Sequence, residues 1–332
     1  MGLDETKSKP HEHLAEYLAT DLVAVNSLIH ARMASEHAPR IPEVTAHLVD
    51  AGGKRLRPML TLAAARMCGY EGPYHIHLAA TVEFIHTATL LHDDVVDESN
   101  QRRGRATANL LWDNKSSVLV GDYLFARSFQ LMTETGSLKV LEILSDASAT
   151  IAEGEVLQLT AAQDLGTNEE TYLKIVRGKT AALFSAATQV GGIIANASEA
   201  HTKALHTYGD ALGICFQIVD DLLDYDGSDA TGKNVGDDFR EGKLTLPLIK
   251  AIAKANAHER EFWRRVIEKG HQESGDFETA QELMETHGAM ENARTDAIGW
   301  AAKARSALQE LPPHEIRTML HDIADYVVAR IR

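Results

Sequence analysis

Two short acidic clusters are the residues of this chain with the clearest capacity for chemistry. Each holds three aspartates with the same spacing of one and then three: Asp93, Asp94 and Asp97 in the first cluster, and Asp220, Asp221 and Asp224 in the second. Residues four apart differ by about 40° around an α-helix, so the first and third carboxylates of a cluster share a face and can hold one hard cation between them. Oxygen-only ligands favour Mg²⁺, with Mn²⁺ as a substitute, and Mg²⁺ bound in this way usually also contacts phosphate oxygens.

A bound cation also explains why such clusters are tolerated. Carboxylates this close on one helix repel each other, and negative charge late in a helix opposes the helix dipole. A solvated acidic face would explain one cluster alone. Two matched clusters inside apolar helices instead favour metal binding.

Basic residues that can bind phosphate lie near both clusters. They are Lys54, Arg55 and Arg57 after the glycine pair at 52–53, Arg102 and Arg103 after the first cluster, Lys179 beside Thr180, and Lys233 and Lys243 after the second cluster. Each cation alone is typical of a solvated surface, but their association with the acidic clusters indicates phosphate sites.

Two further polar residues share faces with the clusters. His86 lies seven residues before Asp93, which is about two helical turns, and Gln217 lies four residues before Asp221. Both are expected to face the ligand. The alternatives are a histidine that serves only as a structural partner and, for Gln217, a buried hydrogen bond between helices.

Helices must position all of these residues. The eight prolines leave residues 74–246 without one, and the apolar residues recur every three or four positions, which predicts an all-α protein. The longest helices are predicted over residues 11–33, 74–98, 116–133, 138–163, 169–194, 199–226, 290–309 and 313–331. No linker or repeat divides the chain, so we expect one all-α domain over residues 1–332 with a polar extension at 1–10.

Composition narrows the class of protein. The chain has 332 residues, of which 44% are hydrophobic and 24% charged, as in a globular protein. Its net charge of -15 has the wrong sign for general binding to nucleic acid or to an anionic membrane. Two cysteines exclude a disulfide framework, and no clean apolar run reaches the roughly 20 residues that a membrane span needs. We expect a cytoplasmic protein.

The ordered motifs closely resemble those of the trans-isoprenyl diphosphate synthases, the polyprenyl synthetase family, and within it the long-chain bacterial octaprenyl- and decaprenyl-type enzymes. The resemblance spans nearly the whole chain and rests on the segments at 52–58, 82–97, 102–104, 153–155, 178–181, 216–224 and 232–233. It implies an isoprenoid-synthase helical bundle around a central active-site cavity, usually a homodimer. The implied enzyme is a prenyltransferase that condenses isopentenyl diphosphate with an allylic diphosphate, here farnesyl or geranylgeranyl diphosphate.

The same resemblance implies roles for individual residues. The residues implied to bind magnesium are Asp93, Asp94, Asp97, Asp220, Asp221 and Asp224. The residues implied to bind the allylic diphosphate are Arg102, Lys179, Thr180, Gln217 and Lys233. Those implied to bind isopentenyl diphosphate are Lys54, Arg57, His86 and Arg103. The catalytic residues are Lys179, Lys233, Asp93 and Asp220.

The implied mechanism follows the development of charge. As the allylic carbon–oxygen bond breaks, negative charge grows on the diphosphate, where Mg²⁺, Lys179 and Lys233 stabilise it. The isopentenyl double bond attacks the resulting carbocation. A proton is then lost, most plausibly to the departing diphosphate, which regenerates an allylic product.

Product length is expected to depend on the helix below the first cluster. Ala88 and Thr89, five and four residues before Asp93, are small, and Ile85 lies one turn deeper. Short-chain relatives usually carry aromatic residues at the first two positions, so this chain resembles enzymes whose products have about forty to fifty carbons.

Other functions remain open at the level of sequence. A shorter-chain synthase is one alternative, and a non-catalytic helical partner subunit, which would lose its metal ligands, is another. A terpene cyclase uses an aspartate cluster but does not need a second anion site at Lys54, Arg57 and Arg103. A metal-dependent phosphohydrolase is suggested by His92 beside Asp93, although the second cluster supplies no histidine.

Overall fold

The computed structural model describes residues 9–49, 52–102, 104–226 and 235–331. The α-helices of these residues are α1 (Pro10–Tyr17), α2 (Ala19–Met33), α3 (Arg40–Val49), α4 (Leu56–Met67), α5 (Tyr74–Val96), α6 (Ala108–Leu111), α7 (Asn114–Glu134), α8 (Leu138–Ala161), α9 (Glu169–Val176), α10 (Ala182–Ile194), α11 (Glu199–Asp226), α12 (Asp237–Arg240), α13 (Leu246–Lys254), α14 (Ala257–Trp263), α15 (Asp276–Thr286), α16 (Ala289–Leu308) and α17 (Glu315–Ala329). Two short strands, β1 (Gln101–Arg102) and β2 (Arg105–Ala106), pair antiparallel. The all-α prediction is confirmed.

Most of the long predicted helices are continuous, but two are interrupted. The helix predicted over 11–33 breaks at Leu18, whose backbone dihedral angles are -97° and 13°. The helix predicted over 169–194 contains a π-helical turn, Arg177–Ala181, between α9 and α10. A second π-helical turn, Arg264–Glu268, follows α14.

The chain forms two compact units. The first unit contains residues 1–148, 183–209 and 307–323, and the second contains residues 149–182, 210–306 and 324–332. The expectation of a single domain stays a prediction. No helix in the described part of the chain is long and apolar enough to cross a membrane.

Helix α5 is the centre of the first unit, where it packs against α2, α4 and α7. Its apolar residues recur every three or four positions, and Leu78, Val82, Ile85 and Phe84 are completely buried. Removing so many apolar side chains from water stabilises the helix in place, at about 1.5–3 kcal/mol for each large one. The end of α5 is therefore a rigid support for polar residues.

Helix α10 packs against other elements of the first unit through close contacts between backbones. A Cβ atom placed on Gly191 would lie 2.6 Å from the carbonyl oxygen of Thr61, and one on Gly209 would lie 2.5 Å from that of Phe184. Only glycine permits these approaches. Nearby, the Tyr208 hydroxyl donates a hydrogen bond to the carbonyl oxygen of Leu320 at 2.8 Å.

The second unit has its own apolar cluster. Its largest buried members include Trp263, Phe239, Tyr225, Leu248 and Met284. They come from the end of α11 and from α12 to α15. This cluster fixes the C-terminal end of α11, which carries the second group of aspartates.

The close backbone contact at Gly209 and the open space around Gly299 predict opposite effects for two Gly→Ala substitutions. Gly209→Ala forces α10 and α11 apart and should lower the free energy of unfolding by about 1–3 kcal/mol. Gly299→Ala lies on an exposed part of α16 with no atom within 4 Å of the new Cβ, so it should raise stability by about 0.5–1 kcal/mol. Urea denaturation of the three proteins measures both effects. Equal free energies of unfolding for the two variants would contradict the close backbone contact at Gly209.

Candidate active site

The first acidic cluster lies at the C-terminal end of α5. The helix ends at Val96, and the Asp97 amide donates to the Asp93 carbonyl oxygen at 2.8 Å. Asp93 and Asp97 are half-buried, whereas Asp94 is completely buried. Three carboxylates are thus held where the helix dipole disfavours negative charge.

The Asp94 carboxylate contacts Arg102, one of the residues predicted to bind phosphate. Arg102 Nε, on β1, donates to Asp94 Oδ1 at 2.8 Å. Burial raises the pKa of Asp94, and the neighbouring Arg102 opposes that rise. The structure therefore brings Arg102 to the first cluster, as a partner of its central aspartate.

The second carboxylate oxygen of Asp94, Oδ2, is a suitable ligand for a metal ion. Oδ2 is buried and has no hydrogen-bond donor among the described residues. An oxygen of this kind suits a hard cation, which takes carboxylate oxygens as ligands. Within the same residues, no three Asp, Glu, His or Cys side chains form a preformed metal site.

His92, the neighbour of Asp93, is used in helix packing. Its Nε2 lies 3.1 Å from the Val118 carbonyl oxygen and 3.5 Å from Asp122 Oδ1, both on α7. Gly121 leaves the space that the imidazole ring occupies. Because both neighbours are hydrogen-bond acceptors, Nε2 carries a proton and donates. The residue that suggested a phosphohydrolase thus contacts α7.

The basic segment at the start of α4 brings two predicted residues together. Arg57 Nη1 lies 3.3 Å from His86 Nε2, and the Arg57 guanidinium stacks on the ring of Phe184 at 4.6 Å from its centroid. Lys54 is exposed at the start of this segment. Arg103 lies outside the described residues. The structure therefore places Arg57 and His86, two of the residues predicted to bind isopentenyl diphosphate, next to each other.

Arg55 has a different role from its neighbours. It adopts a left-handed conformation with φ of 48°, and its guanidinium forms an ion pair with Glu83 on α5. Nη2 also donates to the carbonyl oxygen of Val49 at 2.9 Å. These contacts neutralise Arg55 and fix the segment that carries Lys54 and Arg57.

The three residues predicted to control product length lie on α5 between these groups. Ile85 and Ala88 are completely buried, and Thr89 is half-buried. The Thr89 hydroxyl donates to the His86 carbonyl oxygen at 2.8 Å, within the helix. The polar atom of Thr89 is thereby satisfied locally, so both small side chains remain compatible with an apolar neighbour.

The second acidic cluster lies on α11 in the second unit. Asp221 accepts hydrogen bonds at both oxygens, from Gln217 Nε2 at 2.8 Å and from the Tyr172 hydroxyl at 2.6 Å. The Asp224 carboxylate accepts from the backbone amides of Asp237 and Asp238 at 3.2 and 3.1 Å. Asp221 and Asp224 are thus tied to the protein.

Negative charge is concentrated around Asp221. Burial, followed by the charge of Asp238, raises the pKa of Asp221 to about 7, and Asp220 adds to the effect. Burial and the charge of Asp221 also raise the pKa of Tyr172 well above its ordinary value. Tyr172 therefore stays protonated and donates. A cation bound nearby would relieve this repulsion, which fits the donor set.

Lys179 and Thr180 lie on the π-helical turn at 177–181. Lys179 Nζ donates to Glu155 Oε2 at 2.9 Å, and Thr180 Oγ1 donates to Gln217 Oε1 at 2.8 Å. A π-helical turn in a long helix is frequently found at a functional site. Lys233 lies outside the described residues.

Two glycines position this turn. A Cβ atom on Gly178 would lie 2.7 Å from the Gly154 Cα, and one on Gly154 would lie 2.7 Å from the Lys179 nitrogen. Helix α8 and the π-helical turn therefore touch backbone to backbone. This contact sets Glu155, the next residue after Gly154, beside Lys179.

Sequence reasoning did not assign roles to four residues that contact the predicted site: Glu83, Glu155, Tyr172 and Asp238. Glu155 lies in the Glu153–Glu155 motif, which was a usable signal. Tyr172 lies seven residues before Lys179, but the π-helical turn changes the facing of the residues that follow it. The backbone amide of Asp238, on α12, donates a hydrogen bond to Asp224 on α11, and helical spacing does not predict a contact between two separate helices.

Comparison with known proteins identifies the family. The profile of the Polyprenyl synthetase family matches residues 38–284. The chain is 71% identical to the crystal structure of a decaprenyl diphosphate synthase from Rhodobacter capsulatus, with a TM-score of 0.95 and coverage of 97% of this chain and 99% of that chain. It is 47% identical over 322 residues to octaprenyl diphosphate synthase of Escherichia coli (strain K12), covering 97% of this chain and 99% of that protein.

A third relative has a crystal structure with ligands. It is a polyprenyl synthase from Caulobacter crescentus CB15 complexed with calcium and isoprenyl diphosphate, 50% identical, with a TM-score of 0.92 and coverage of 97% of this chain and 98% of that chain. The chain described here belongs to the polyprenyl synthetase family. It is accordingly a prenyltransferase.

Proposed function

We propose that this chain is a Mg²⁺-dependent trans-polyprenyl diphosphate synthase. It adds isopentenyl diphosphate repeatedly to farnesyl or geranylgeranyl diphosphate and makes a product of about forty to fifty carbons. Mn²⁺ is the expected substitute for Mg²⁺. The names of the octaprenyl and decaprenyl relatives support a long product.

The contact between Arg57 and His86 carries the proposal. It creates an anion site on the same helix, α5, whose end holds the first acidic cluster. An enzyme that only ionises one diphosphate needs one such site, so the second site favours a two-substrate condensation over a cyclase. In this role Arg57, His86, Lys54 and Arg103 bind isopentenyl diphosphate.

The charged residues have separate tasks in the reaction. In the first unit Asp93 and Asp97 would hold Mg²⁺, with Asp94 in support, and in the second unit Asp220 would hold Mg²⁺, with Asp221 and Asp224 in support. When bound, Mg²⁺ supplies positive charge to the diphosphate of the allylic substrate. Lys179 and Lys233 stabilise the negative charge that grows as this diphosphate leaves. Glu155 holds the Lys179 ammonium group in place through the 2.9 Å ion pair.

We also propose a homodimer. Val118, Leu119 and Phe129 of α7 are 38%, 66% and 42% exposed, and Leu110 and Leu111 of α6 are 54% and 51% exposed. An apolar group of this kind on a folded chain marks an interaction surface. A single helix face can bind its own copy across a two-fold axis, so a second copy of this chain is the proposed partner.

Substrate consumption and the role of Arg57 can be tested together. Labelled isopentenyl diphosphate, farnesyl diphosphate and Mg²⁺ should give long allylic products. Arg57→Ala should raise the KM for isopentenyl diphosphate by about tenfold or more, because a hydrogen bond to a charged group contributes about 1.5–3 kcal/mol. The KM for farnesyl diphosphate should change less than twofold. Arg127→Ala, on α7, is the control.

Other outcomes of that assay would contradict the proposal. Diphosphate release without consumption of isopentenyl diphosphate indicates a cyclase, and release of inorganic phosphate indicates a hydrolase. A chain that is inactive alone but stimulates another synthase is a partner subunit.

The length of the product should respond to position 88. Ala88→Phe places an aromatic ring at a buried position of α5 and should shorten the product to about fifteen or twenty carbons, because the growing chain meets the ring. Ala88→Ser, which keeps the size, should leave the product unchanged. Chromatographic sizing of the dephosphorylated products measures the effect. An unaltered distribution for Ala88→Phe would refute the role of this position.

The proposed dimer depends on the exposed face of α7. Leu119→Glu should convert the dimer into a monomer, because a charge would be buried without a partner in the interface. Val23→Glu is a matched control, since both side chains are 66% exposed. Light scattering after size-exclusion chromatography distinguishes the two states. A dimeric Leu119→Glu variant would place the interface elsewhere.

A further inference from the structure

Four side chains of the second unit form one continuous chain of hydrogen bonds. Tyr172 donates to Asp221 Oδ2 at 2.6 Å, Gln217 donates to Asp221 Oδ1 at 2.8 Å, and Thr180 donates to Gln217 Oε1 at 2.8 Å. Tyr172 is 4% exposed and Asp221 is 3% exposed. The chain connects α9, α11 and the π-helical turn.

The chemistry of these groups fixes their orientation. When Asp221 is ionised its carboxylate only accepts hydrogen bonds, so the amide nitrogen of Gln217 faces Asp221 and its oxygen faces Thr180, as in the structure. The Gln217 nitrogen has two hydrogens, and one is used by Asp221. The second hydrogen has a direction set by the first. Asp221 thus determines where Gln217 can donate.

Tyr172 in turn determines the position of Asp221. Its hydroxyl occupies the one carboxylate oxygen that Gln217 does not bind. Without that donor, a buried oxygen would lack a partner, and the carboxylate would rotate towards another donor. Rotation would release the amide of Gln217 from its fixed orientation.

We propose that Tyr172 is a positioning residue for the binding of the allylic diphosphate. It holds Asp221 so that Gln217 presents its second amide hydrogen to that diphosphate, while Thr180 fixes the other end of the amide. The inference rests on the proposed function, because it concerns the residues assigned there to the allylic substrate. A purely structural tyrosine would tie α9 to α11 without changing substrate binding.

Tyr172→Phe removes one hydroxyl and nothing else. Tyr208→Phe is the matched control, because Tyr208 is also completely buried and donates to a protein acceptor, the Leu320 carbonyl oxygen. Binding of inorganic diphosphate in the presence of MgCl₂ is measured by calorimetry, and KM is measured separately for farnesyl and isopentenyl diphosphate. Thermal unfolding reports the cost of each lost hydroxyl.

The expected result is selective. Tyr172→Phe should weaken the binding of inorganic diphosphate by about 10- to 100-fold, the usual effect of removing a group that orients a ligand-binding side chain. The KM for farnesyl diphosphate should rise similarly, while the KM for isopentenyl diphosphate stays within twofold. Tyr208→Phe should change none of these. Equal binding by the two variants would overturn the inference.

Asp221→Asn provides a second test that does not depend on the folding of Tyr172→Phe. Because Asp221 also supports Mg²⁺ in the proposed function, a loss in this variant alone is required but not sufficient, and the double variant isolates the part that acts through Tyr172. It should show the same selective loss, and unchanged binding of diphosphate would overturn the inference. The double variant should be no weaker than the weaker single variant, because both act through one carboxylate. Additive losses would show separate roles. If the wild-type chain binds diphosphate but consumes no isopentenyl diphosphate, the proposed function fails, whereas the binding comparison still decides the role of Tyr172.

Discussion

The repulsion among carboxylates crowded on two helices is the constraint on which the rest of the site depends. In each cluster the central aspartate is buried and bound to the protein: Asp94 to Arg102, and Asp221 to Tyr172 and Gln217. The first aspartate of each cluster, Asp93 or Asp220, is only half-buried. The identical spacing therefore produces the same division of roles twice. One carboxylate of each cluster is anchored to the protein, and the carboxylate before it is more exposed.

Close contact between backbones converts helix packing into a fixed site geometry. Gly154 and Gly178 bring α8 against the π-helical turn, and this contact places Glu155 beside Lys179. Gly121 makes room on α7 for His92, so the last turn of α5 is held from the side. A side chain at any of these glycines would separate the elements. The charged groups would then lose the distances on which their hydrogen bonds depend.

The features that could be predicted from the sequence are those that follow from the local spacing of residues along a helix. Helical spacing identified α5 and α11 and the shared face of His86 and Asp93, and proline usage indicated the helical class. It could not predict contacts made by residues far apart in the chain, such as Tyr172 with Asp221. It also missed the break at Leu18 and the π-helical turn, because the apolar residues on each side of these points keep a helical spacing of their own.

The two arginines of the basic segment face partners of different charge. Arg55 and Arg57 are two residues apart, and they meet Glu83 and His86, which are three residues apart on α5. Glu83 cancels the charge of Arg55 and converts it into an anchor for the segment. The imidazole ring of His86, unlike the carboxylate of Glu83, carries no negative charge. Because Arg57 also stacks on Phe184, its guanidinium is oriented before any ligand arrives, and less entropy is lost on binding. The two arginines of one short segment therefore differ in their partners, a carboxylate for Arg55 and an imidazole with an aromatic ring for Arg57, and this difference separates a residue that anchors the segment from one that lies against α5 and Phe184.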